Sequence, residues 1–187
     1  MKQRWFEQEL WNKEIEDMFF KKLSRSKKEC ASQYIRIQAL IFLSKPDRQL
    51  NEIAVRLINT LFENYSDSFM DIMFCHEALA EFYYIKGFYK KSYSHYEIIR
   101  QYNKSSQSAK YCTITSELGL IKNILQMNEL SKLQYAIDLI IEIFPYFKNR
   151  FAFFEKTRNE YENVCLEIYE KTNDNNVLEI INSLRRD

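Results

Sequence analysis

Apolar residues recur along most of this chain at three- and four-residue spacing, and short polar breaks divide the pattern into segments. Trp11, Ile15, Met18 and Phe19 fall at i, i+4, i+7 and i+8, which predicts a first helix over 3–23. A second helix is predicted over 30–44 through Tyr34, Ile37, Leu40 and Ile41. It should stop at "SKPD", where Pro46 fits a first helical turn and Ser44 is the expected cap, with Asp47 three residues later. Leu50, Ile53, Ala54, Leu57, Ile58 and Leu61 then form the clearest amphipathic stripe. Paired helices follow over 68–86 and 89–103, around Gly87, and over 106–127 and 131–147, around "MNELS". Pro145 should end or kink the last of these. A helix over 150–171 carries Phe154, Tyr161, Cys165 and Ile168 on one side, and a short one after "TNDNN" carries Val177, Leu178, Ile181 and Leu184. No segment alternates with the period of two that a half-buried strand requires. The expected fold class is all-α, with about nine helices.

The chain has two glycines, and one lies between aromatic helical runs in "LAEFYYIKGFYKKSYSHYEII", residues 79–99. Leu79 and Ala80 form a large-small pair, Tyr83 follows one turn later, Gly87 falls in the turn with Tyr89 after it, and Ser92, Tyr96 and Ile99 lie on the second helix. That order resembles a tetratricopeptide repeat, with the clear unit at about 74–103. Two helices approach closely only where side chains are small, and large neighbours fill the groove. Gly87 can end the first helix by taking a left-handed backbone angle. Looser units flank this one. Ala39, Phe42, Ala54, Ile58 and Leu61 precede it; Leu118, Gly119, Ala136, Ile140 and Ile143 follow it, although Lys122 stands where a large aromatic is expected. The spacings from Ala39 to Ala80 and from Ala80 to Gly119 are 41 and 39 residues, longer than the roughly 34 of the standard repeat. The resemblance implies a right-handed superhelical stack of antiparallel hairpins forming a single domain over 1–187. Residues 1–29 would be a capping helix and basic link, 30–147 three hairpins, and 148–187 the C-terminal caps.

Lysine plus arginine (27) nearly balances aspartate plus glutamate (26), so the broad positive field of a nucleic-acid binder is missing and that partner class is disfavoured. No apolar run approaches the roughly 20 residues of a membrane span, and a cytoplasmic location is expected. Cys30, Cys75, Cys112 and Cys165 lie far apart with no CxxC pair, which suggests neither a zinc site nor a disulfide framework. They are read as reduced core residues. "HEALA" at 76–80 begins like a zinc-protease HExxH, but Ala80 replaces the second histidine and His76 occupies a packing position. His95 has no evident orienting partner, and no phosphate loop or nucleophile elbow is present. No catalytic residue, metal or cofactor is expected.

The repeat register implies a concave, protein- or peptide-binding face lined by the first helix of each hairpin. It would carry Gln33, Arg36 and Leu40, then Phe74, Glu77, Glu81 and Tyr84, then Thr113, Ser116, Leu120 and Asn123. This mixture of aromatic anchors and carboxylates suits a polypeptide with some positive charge. An immunity-type inhibitor that occludes an enzyme is the first alternative, and an RNA-binding helical repeat the second. Trp5, Phe6, Trp11, Phe19 and Phe20 either cap the stack or expose an apolar patch that joins a second copy or a partner.

Overall fold

A computed structural model describes residues 4–105, 113–147 and 155–186. Among them are nine α-helices and no strand: α1 (Lys13–Leu23), α2 (Lys28–Leu43), α3 (Arg48–Asn64), α4 (Phe69–Ile85), α5 (Tyr89–Ser105), α6 (Thr113–Met127), α7 (Leu133–Ile143), α8 (Glu155–Thr172) and α9 (Asn175–Arg186). The described helices are too short or too polar to cross a membrane. Contacts gather into two units, Met1–Phe82 and Tyr83–Asp187, with the division inside α4. Phe154 and Cys112 lie outside the described residues.

In the first unit α1 begins ten residues later than the periodicity predicts. Asn12 is extended and its side chain accepts a hydrogen bond from the Ile15 N–H, so the helix starts at Lys13 and Trp11 lies outside it. The segment before it is held by Gln38, a fully buried side chain of α2. Gln38 accepts from the Gln8 N–H at 2.7 Å and donates to the Gln8 carbonyl at 2.8 Å, pairing the backbone as a neighbouring strand would. Phe6 stacks on Tyr34 at 4.3 Å, and Trp11 meets Phe19 and Phe42 edge-on at 5.4 Å each. Of the aromatics read as either a cap or an apolar patch, Phe6 and Phe19 are buried and Trp5, Trp11 and Phe20 half-buried within their own unit.

The link from α2 to α3 also differs from expectation. Asp47, not Ser44, caps α3 by accepting from the Leu50 N–H. Ser44 donates instead to the Ile41 carbonyl, and Pro46 lies outside the helix. Buried Asn51 donates to the carbonyls of Phe42 and Lys45, so the turning chain leaves those groups satisfied. α2 and α3 then pack as a helical hairpin around Ile35, Phe42, Ile58 and Leu61.

In the second unit Gly87 ends α4 at φ +76°. The Phe88 N–H reaches the Tyr83 carbonyl, the Gly87 N–H reaches the Tyr84 carbonyl, and the Phe88 and Tyr83 rings touch, completing a Schellman motif. Asn128, also left-handed, ends α6 through equivalent bonds from Asn128 and Glu129. Asn173 ends α8, and Asp174 caps α9 by accepting from the Asn176 and Val177 N–H groups. α7 stops at Ile143, where Pro145 lies in a 3₁₀ turn. Helix α6 is packed by α5, α7 and α8, and α8 pairs with α9. Buried Tyr161 of α8 donates to the Ile140 carbonyl at 2.7 Å and stacks on Phe147. The five small positions of the repeat pattern, Ala54, Ala80, Ser92, Gly119 and Ala136, are all buried.

Candidate functional site

There are two candidate surfaces, one in each unit: Arg36 and Phe74 touch on the first, and Tyr84 alone of the sequence-predicted residues lines the second. In the first, α2 and α4 present a shared face. Arg36 pairs with Asp71 at 2.6 Å while its guanidinium lies 4.9 Å from the centroid of the Phe74 ring. Ser32 donates to the other oxygen of Asp71 at 2.7 Å. The salt bridge and the ring contact fix the guanidinium plane, which leaves Phe74 on an exposed shelf. Gln33 and Glu81 are exposed here, and Leu40 and Glu77 half-buried.

In the second unit the last turn of α4 meets α6 and α8 around a cavity of about 200 Å³. Tyr84 supplies one wall, Lys122, Leu125 and Gln126 the α6 side, and Glu160, Asn163, Val164 and Glu167 the α8 side. The Lys122 ammonium lies 5.3 Å from the Tyr84 ring centroid and 3.3 Å from the Glu160 carboxylate. Tyr89 supports the same ring edge-on at 5.4 Å. Burial pushes the Tyr84 phenol above its ordinary value, and the nearby Tyr89, Glu167 and Glu160 add to the shift, so the ring stays neutral in negative surroundings.

Three expected surface residues are corrected. Leu120 and Asn123 are fully buried and Ser116 is 1% exposed, because α5, α7 and α8 enclose α6 on the sides that carry them. Asn123 donates to Ser92 and to the Gly119 carbonyl, an internal link between α5 and α6. Ser116 donates to Glu117 at 2.6 Å within a buried charge cluster. There Arg100 of α5 donates to Glu117 of α6 at 2.5 Å and to Glu142 of α7 at 2.6 Å. Burial raises the Glu117 carboxyl, and the bonds from Ser116 and Arg100 oppose that rise. The cluster links α5, α6 and α7. Thr113 opens α6, but its side chain lies outside the described residues.

Sequence reasoning missed Lys122, Leu125, Gln126 and the whole α8 contribution. The departure from the repeat pattern at Lys122 was the available signal. A lysine tolerated at a packing position points to a place where that position opens to solvent. On α8, Glu160, Asn163, Val164 and Glu167 follow helical spacing, but that helix reads as a cap when the repeats are counted to 147.

The residues weighed for chemistry have packing roles. His76 is buried against Phe62, stacked at 4.4 Å, and His95 stacks on Tyr83 at 5.6 Å. Burial, then Lys91, lowers the His95 pKa and favours neutral imidazole. The Cys75 and Cys165 thiols are buried, and burial pushes each up to about 12, far from a reactive thiolate. Among the described residues no three metal-ligating side chains converge. The chain matches no family model, no curated protein and no solved structure.

Proposed function

We propose that the chain is a tetratricopeptide-like helical-repeat protein that binds a polypeptide, without catalysis, through faces supplied by the first helix of successive hairpins. One observation carries this reading: the second-unit cleft is lined by α4, α6 and α8, which alternate in the sequence. Alternate helices come to one side when antiparallel hairpins stack in a common direction, which is how a solenoid makes its binding surface. The glycine turn after α4 and the buried small positions support the same arrangement. The ring of Tyr84, the exposed Phe74 and the carboxylates around them fit a polypeptide, with aromatic anchors and polar groups that set register. The net negative charge of the second-unit cleft would repel a phosphate backbone.

Selection of displayed random peptides on the purified protein tests this reading. Selected peptides should bind in the micromolar range, about −8 kcal/mol, and lose tenfold or more in affinity with Phe74→Ala or Tyr84→Ala. Far-ultraviolet circular dichroism should show both variants folded, since neither ring is fully buried. A selection in which no peptide depends on either ring contradicts the proposal.

A further inference from the structure

The second-unit cleft already holds one cation of its own. Lys122 lies over Tyr84 and against Glu160, the pairing an aromatic ring and a carboxylate offer to any ammonium or guanidinium group. That internal ion pair neutralises Glu160 but leaves a second carboxylate. Glu167 lies seven residues further along α8, two helical turns or about 10 Å away, and among the described residues no cation pairs with it. The cleft therefore has an excess of one negative charge, an aromatic wall and an apolar floor of Leu125 and Val164, both buried. Its volume of about 200 Å³ falls below the roughly 300–1,000 Å³ of pockets for drug-sized molecules. One large side chain fits that scale.

We propose that this cleft seats an arginine side chain of a bound polypeptide, with the guanidinium drawn to Glu167 and the aliphatic stem over Leu125 and Val164. The inference rests on the polypeptide-binding reading and names the residue its second-unit surface selects. Arginine fits better than lysine because its planar guanidinium can stack on Tyr84 while its fork pairs with a carboxylate. Gln126 and Asn163, both exposed at the rim, can each donate and accept hydrogen bonds with the peptide backbone. Lys122 already lies over the Tyr84 ring and adds a positive charge to the cleft, so it opposes an incoming guanidinium. Its removal should therefore strengthen binding, whereas damage to a site normally weakens it.

The test uses acetyl-Ala-Arg-Ala-amide and its citrulline counterpart, which has nearly the same shape without the charge. Each is titrated into methyl-labelled protein and followed at the Leu125 and Val164 methyl resonances. The arginine peptide should give saturable shifts and the citrulline peptide should bind at least fivefold more weakly. Glu167→Gln should weaken the arginine peptide at least fivefold, and Lys122→Met should tighten it severalfold. Equal binding of the two peptides, or weaker binding to Lys122→Met, overturns the arginine assignment. If neither tripeptide shifts these methyls while display-selected peptides still depend on Tyr84 or Phe74, the arginine seat is wrong and the polypeptide reading stands. If no peptide of any composition binds, both fail.

Discussion

The two glycines answer to different physical demands, and substitution separates them. Gly87 takes a left-handed φ of +76° with nothing within 4 Å of an added Cβ, so alanine there meets backbone strain alone. That strain is about 1–2 kcal/mol. Gly119 lies inside α6, where alanine would ordinarily stabilise a helix by about 1 kcal/mol. Here its Cβ would meet Cε2 of the Tyr96 ring at 2.4 Å, with two further ring atoms within 2.7 Å. Tyr96 is itself buried, so the ring has no free path away from the clash. Overpacking of this kind costs about 1–3 kcal/mol, enough to reverse the propensity gain. Urea unfolding should show both Gly87→Ala and Gly119→Ala destabilised, and Tyr96→Leu should relieve only the second. A Gly119→Ala protein more stable than the wild type would contradict the close α5–α6 approach.

At the scale of elements, what could be read in advance follows a simple division. Helices with one continuous apolar stripe, such as α3 from Leu50 to Leu61, show their periodicity plainly and match the expected span within a few residues. Ends set by side-chain capping were less legible. Asn12 cuts a periodic run at a place the apolar pattern alone does not mark, and Asp47 takes the cap expected of Ser44. The clasp of Gln38 on Gln8 was invisible, because a glutamine on the apolar side of α2 reads as an interruption. It has a measurable consequence. Gln38→Leu keeps the volume but leaves the part-buried Gln8 N–H and carbonyl without their protein partner, where full burial would cost about 1–3 kcal/mol for each unpaired group. Because water still reaches both groups, the variant should lose about 1–3 kcal/mol in all. The Trp5 and Trp11 near-ultraviolet dichroism should fall while helix content holds. Unchanged tryptophan signals would show that the aromatic contacts alone secure the segment.

For the whole molecule, the helical class was legible because nearly every segment carries the same period and the chain has few residues that break it. The candidate surfaces were legible in part. Arg36 and Phe74 were assigned to one face from register alone, and they touch. On α6 the register failed, because a helix packed by three others exposes only the stripe that none of them covers. That stripe runs through Lys122 and Gln126, and Leu120 and Asn123 turn inward. Burial depends on distant segments that no local pattern encodes, as the Arg100 cluster joining α5, α6 and α7 illustrates.

The most direct measurement is hydrogen–deuterium exchange of the protein with and without a display-selected peptide. The account expects slower exchange on peptide binding in α6 and α8 around the cleft, or in α2 and α4 around Phe74, with α5, α7 and α9 unchanged. Protection confined to α5, α7 or α9 would contradict it, because those helices line neither the cleft nor the Arg36–Phe74 contact.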